Sequence, residues 1–273
     1  MIATYNDTVA SGWHNGAGVV YRPLAAALLA ACPVELSGAA VLDAGSGTGA
    51  VASLAAAAGA TVVAADLSPL MLAARPPGQW PAVVADVLAL PFARGTFDAA
   101  IAAFLINHLD PETALRALAA TLRPGGAVVA STWATGTDPV KAAVDAILVD
   151  HGWRPPAWYQ DMKAVLDPVS GDPDRLAERA RGAGLIDVEV WVHAENLGVR
   201  DPRAVVTYRL ATPQFASWAH TLDEAVRRRL VDLAATAVAP QVCEWRPAAV
   251  FLRGRTPGYP RPRRSATRAN ASR

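Results

Sequence analysis

The chain has 273 residues, 52% of them hydrophobic and many of these alanine, which is enough to bury one sizeable α/β core. The formal net charge is only +1, and seven arginines fall between Arg253 and Arg273, so the body has no basic excess of the kind that binds nucleic acid. Cys32 and Cys243 lie far apart with no Cys or His at metal-ligand spacing, and they read as reduced, buried thiols rather than a disulfide framework or a metal site.

The first residues lack the basic and apolar regions of a secretory signal. No apolar run reaches about 20 residues without interruption. A soluble, cytoplasmic protein is expected, with no membrane partner, as a monomer or homodimer. Continuous apolar runs at Ala39 to Ala44, Thr61 to Ala65, Ala82 to Ala85, Phe97 to Ala103 and Ala127 to Trp133 read as strands buried on both faces. Helices are expected near Ala50 to Ala58, Pro69 to Ala74 and Glu112 to Leu122. The last should stop at Arg123-Pro124-Gly125-Gly126. This alternation builds a parallel sheet. From Ala134 to Pro173 the pattern becomes irregular, with Trp153, Trp158 and Tyr159, and reads as a cap. Beyond it come a helix at Asp174 to Gly182, a strand at Val188 to His193, a helix at Thr221 to Val238 and a strand at Pro247 to Arg253. The segment from Gly254 onward, rich in Pro, Arg and Ser, reads as a disordered tail.

The densest chemistry follows the first strand, in Val41-Leu42-Asp43-Ala44-Gly45-Ser46-Gly47-Thr48-Gly49. A glycine-dense strand-to-helix turn permits positive φ and brings a ligand against bare backbone and helix N-terminal N–H groups. Gly45, Gly47 and Ala50 also fit the looser dinucleotide pattern, so the glycines alone leave NAD open. Asp43 discriminates: a carboxylate there repels a pyrophosphate but attracts an ammonium and a sulfonium. Asp66 ends the second strand, where a carboxylate can accept ribose hydroxyls, and Asp86 ends the third.

With those acids in place, VLDAGSGTG resembles the first motif of the class I S-adenosylmethionine-dependent methyltransferases. FDAAIAAFLINHL followed by LRPGG resembles their later motifs, over roughly the first half of the chain. The resemblance implies a Rossmann-like, doubly wound, seven-stranded and mostly parallel sheet, its last strand antiparallel, with helical cap insertions. One domain over 1–253 is expected, with a helical flap at 1–36 and substrate caps at 134–173 and 195–240.

The implied cofactor is S-adenosyl-L-methionine, held by Asp43, Gly45, Ser46, Gly47, Gly49, Asp66, Leu67, Met71, Asp86, Val87, Ala103 and Phe104. Tyr5, Trp13, His14, Trp133, Trp153 and Trp158 are expected to meet the acceptor. No Asn/Asp-Pro-Pro-aromatic tetrad ends the fourth strand and no acidic cluster suits a divalent metal, so a small, apolar acceptor and metal-independent transfer follow. His108 is the candidate base, since an ordinary imidazole accepts a proton near neutrality. Some relatives pair such a histidine with an acid where Thr132 stands here. O-methylation of a secondary metabolite is the expected activity. A non-methylating reaction on the same cofactor, such as a cyclisation, and a NAD-dependent oxidoreductase are the alternatives.

Overall fold

The computed structural model describes residues 13–76 and 80–258, with the side chains of residues 14 and 15 outside that description. A short π-helical turn, Trp13–Ala17, leads into α1 (Gly18–Ala30). The sheet then begins, with β1 (Ala40–Ala44), α2 (Ala50–Ala57), β2 (Thr61–Asp66), α3 (Pro69–Ala73), β3 (Ala82–Val84), β4 (Phe97–Ala103), α4 (Pro111–Thr121) and β5 (Leu122–Trp133). The second half adds α5 (Pro139–Asp150), α6 (Ala157–Asp161), a π turn at Met162–Leu166, α7 (Asp167–Ser170) and α8 (Pro173–Gly182). It closes with β6 (Ile186–Ala194), α9 (Pro202–Ala211), α10 (Pro213–Thr221), α11 (Glu224–Val242) and β7 (Ala248–Arg255).

The seven strands lie in the order β3-β2-β1-β4-β5-β7-β6. β1 to β5 are mutually parallel, and β7 runs antiparallel between β5 and β6. The winding direction reverses between β1 and β4, and ligands of such sheets bind at that switch point, outside the carboxyl ends of the strands. Successive residues of a strand point to opposite faces. Val41, Ala99, Ile101 and Val129 therefore pack under α1, α2 and the later helices, whereas Leu42, Ala100, Ala102 and Val128 pack under α4 and α8. Both faces are covered, which is why these strands read as unbroken apolar runs.

Some expectations are corrected. Arg123 to Gly126 do not form a turn ahead of the fifth strand; they are a bulge within β5, where the pairing skips from Phe97↔Leu122 to Ala99↔Ala127. Arg123 pairs there with Asp98. The 134–173 segment, irregular in its sequence pattern, is mostly helical as the resemblance implies, because Asp138-Pro139 and Asp172-Pro173 start helices with a capping carboxylate and a proline at the first helical position. The cysteines are not both buried thiols, since both are free but Cys243 is exposed and Cys32 half-buried. Gly254 and Arg255, expected in the tail, belong to β7.

Candidate active site

The glycine turn is held by carboxylates that also line the cavity above it. Gly45, Gly47 and Gly49 have φ of 67°, 54° and 85°, left-handed values that side chains disfavour. Gly49 is the N-cap of α2 and has no side chain to satisfy the helix. Asp43 does so from across the turn, its Oδ2 accepting the Ala52 N–H at 2.9 Å. Asp66 ties two loops together: one oxygen accepts from Gly47 N at 2.7 Å and the other from Ser68 N at 2.8 Å.

Three further amides of the turn are engaged as well. Gly45 N and Ser46 N donate to Ala65 O at 2.8 and 3.1 Å, and Gly49 N donates to Ser46 O at 2.8 Å. Those N–H groups face protein acceptors rather than a ligand. A pyrophosphate would find these amides occupied and two carboxylates beside it. Desolvation pushes Asp43, which is 1% exposed, up to about 7, against the lowering effect of the Ala52 N–H. Burial raises Asp66 too, opposed by its N–H donors. A cationic ligand would relieve both.

A cavity of about 1260 Å³ runs from this turn across the carboxyl ends of β1 to β5 into the second half of the chain. It brings together Asp43, Gly45, Ser46, Gly47, Asp66, Leu67 and Met71 from the first two strand ends, and Asp86 and Val87 from the third. Ala103, Phe104 and His108 enter after β4, and Trp13, Trp133 and Trp158 complete the expected set on this wall. The Ser46 hydroxyl is buried without a protein partner, as suits a group waiting for a ligand. Asp86 also caps the turn after β3 through Leu88 N, at 2.9 Å.

Other expected residues fall elsewhere. Gly49 lies behind the turn, where an added Cβ would sit 2.5 Å from Trp80 Cζ2. Trp153 is buried behind the wall, 4.2 Å from the Phe215 ring, with its indole N–H donated to Gln214 O at 2.9 Å. Tyr5 and the side chain of His14 lie outside the described residues.

Phe104 adopts φ 55°, a costly conformation for a non-glycine residue, and is pinned there by its N–H donating to Ser131 O at 2.9 Å. Its ring stands 4.4 Å from Trp133 and 5.1 Å from Tyr21, and Tyr21 stacks on Trp13 at 5.1 Å. These rings form an aromatic wall beside the glycine turn. His108 is partly buried, with Nε2 3.1 Å from Asn107 Nδ2, and desolvation lowers its pKa to about 4. At neutral pH it is an uncharged, weak base. Thr132 is fully buried in β5 with an unpartnered hydroxyl and does not line the cavity, so no His108 dyad forms through it.

The far end of the cavity holds charges that the sequence reading passed over. Arg209 of α9 is 6% exposed and grips Asp145 of α5 in a bidentate pair at 2.6 to 2.9 Å. Lys141, also on α5, places Nζ 3.2 Å from the centroid of the Trp133 ring. Burial lowers its pKa to about 7, with Asp138 acting in the opposite direction. Among the described residues no cluster of His, Cys, Asp and Glu could hold a metal ion, and no helix is long and apolar enough to cross a membrane.

Residues 42–130 match a family model described as a methyltransferase domain. The demethylmenaquinone methyltransferase of Mycolicibacterium gilvum is 40% identical over 160 residues, covering 54% of this chain and 68% of that protein. The chain belongs to the class I S-adenosylmethionine-dependent methyltransferases. The methyltransferase of the same description from Mycolicibacterium vanbaalenii is 42% identical over 161 residues, which is 59% of this chain and 64% of that one, so the match stops short of two thirds of that relative. Among solved structures, Haemonchus contortus phosphoethanolamine N-methyltransferase 2, bound to phosphomonomethylethanolamine and S-adenosylhomocysteine, superposes with a TM-score of 0.57 at 18% identity. It covers 93% of this methyltransferase and 60% of that chain, a likeness of fold.

Proposed function

We propose that this chain transfers a methyl group from S-adenosylmethionine to a small, apolar acceptor bound against the Phe104, Trp133 and Tyr21 wall. One observation carries the reading: a glycine turn in which the Gly45, Ser46, Gly47 and Gly49 amides are satisfied internally and whose flanking acids, Asp43 and Asp66, favour a cation over a diphosphate. When bound, S-adenosylmethionine supplies a methyl group already activated on a positively charged sulfur. The residues suited to hold it are Asp66 for the ribose, Asp86 and Val87 for the adenine, Leu67 and Met71 against its face, and Ser46 and Ala103 toward the amino-acid end.

The chain's own task is then alignment and exclusion of water, which the aromatic wall and cap helices perform. Burial makes His108 a weak base, so its fitting role is to orient the acceptor by hydrogen bonding. Oxygen of a secondary metabolite is the acceptor atom that this pocket was expected to serve. A quinone-type ring is a second reading, favoured by the two demethylmenaquinone methyltransferases. Thermal shifts with S-adenosylmethionine and with NAD test the cofactor, and stabilisation by NAD alone would end the proposal. Formation of S-adenosylhomocysteine with a hydroquinone panel and a phenol panel then separates the acceptors.

A further inference from the structure

Of the chain's 25 basic residues only two are lysines, Lys141 and Lys163, and both line this cavity. Lys163 pairs with Asp167. Lys141 is placed differently. It stands in the first turn of α5 with a side chain only 15% exposed, its Nζ over the Trp133 ring and 3.9 Å from Asp138.

The acids near it hold other partners as well. Asp138 Oδ1 accepts the Lys141 backbone N–H at 2.9 Å, and both Asp138 oxygens accept the Trp245 indole N–H, at 3.1 and 2.9 Å. Asp145 is held by Arg209. The amine thus faces an aromatic ring and the cavity, with Arg209 of α9 and Lys163 of the π turn as the cations on neighbouring elements. Trp133 is also the ring against which Phe104 rests at the cofactor end, so the amine sits one aromatic ring away from Phe104.

We propose that Lys141 ionises the acceptor: its neutral amine takes the proton of an acidic ring hydroxyl, phenolic or enolic, and the ammonium then holds the oxygen anion beside Trp133. In this step the O–H bond breaks, an N–H bond forms and the electron pair stays on oxygen. The amine returns the proton to water once the product leaves. The aromatic lining selects a ring, an aliphatic alcohol is too weak an acid for an amine to ionise, and a carboxylic acid arrives already ionised. A lysine near neutrality, about half of it amine at pH 7, fits both halves of the task. An arginine, permanently charged, does not. The inference rests on the reading that this cavity takes a small-molecule acceptor.

4-Nitrophenol is a direct probe, because its anion absorbs visible light and its neutral form does not. Bound to protein saturated with S-adenosylhomocysteine, it is expected to ionise at lower pH than in water. Lys141→Met should weaken binding of the anion at least tenfold and leave S-adenosylhomocysteine binding unchanged. Lys141→Arg should still bind the anion, but with the hydroxyl proton released to solvent instead of kept at position 141. Equal anion binding by Lys141→Met, or no binding by the unaltered protein, overturns the proposal.

Should Lys141→Met fail to fold, NMR of selectively labelled lysine decides, since only two amine signals exist. One signal titrating near neutrality and moving when 4-nitrophenol is added supports the role. Two ordinary lysine titrations, or no movement, refute it. Failure of S-adenosylhomocysteine to bind would instead remove the methyltransferase reading, and the probe measurement, run without it, would still stand.

Discussion

Asp43 and Asp66 bring the same charge to one turn from unequal surroundings, and the difference is measurable. Asp66 is anchored by two N–H donors and faces the cavity, so Asp66→Ala should cut S-adenosylmethionine affinity at least tenfold, about 1.4 kcal/mol. Isothermal titration checks this, with unchanged affinity counting against its placement. Asp43 has its folded-state pKa raised from 3.8 to about 7, so the folded protein binds more protons than the unfolded chain across that window. Stability of the ligand-free protein should therefore fall as pH rises from about 4 to 7, and Asp43→Asn should flatten that slope in urea melts. A cation stabilises the carboxylate form, so cofactor affinity should rise over the same interval. Gly49→Val tests packing rather than binding: its Cβ would meet Trp80 at 2.5 Å, and a loss of thermal stability should exceed any loss of cofactor affinity.

At the level of elements, helix starts explain what the sequence showed and what it hid. The strands of the first half were legible because burial on both faces leaves continuous apolar runs, and the acids at the ends of β1, β2 and β3 marked the ligand edge. Prolines usually interrupt helices. In Asp110-Pro111, Asp138-Pro139, Asp172-Pro173 and Asp201-Pro202 the proline instead opens a helix whose aspartate caps it. Lys141 was therefore invisible as a site residue: only the start of α5 at Pro139 turns it toward Trp133. The scarcity of lysine was a usable signal that periodicity does not register. Trp153 had the aromatic character of a pocket residue, yet the α10 backbone claims its N–H, a contact 61 positions away. Asp138 supports this element three ways, through the Lys141 N–H, the Trp245 indole and the Lys141 ammonium. Asp138→Ala should cost about 1 kcal/mol from the cap alone. It should also push the Lys141 pKa further down, read in the same lysine NMR titration.

Across the whole molecule, the buried amine couples the acceptor end to global stability. The Lys141 pKa falls from 10.5 in a free side chain to about 7 in the fold, so between those values the unfolded chain binds the extra proton. Stability should accordingly rise with pH above 7, and Lys141→Met should abolish that rise in urea melts. The order in which the sheet closes has its own result. β7 lies between β5 and β6, and among the described residues β6 has no other neighbour in the sheet. While the chain is being synthesised, β5 waits with a bare flank, and residues 186–194 have nothing to pair with until residues 248–255 emerge. Assembly is thus keyed to the arrival of a latecomer, and a ribosome stalled before Ala248 would present an open, adhesive sheet margin to whatever chain or chaperone reached it first.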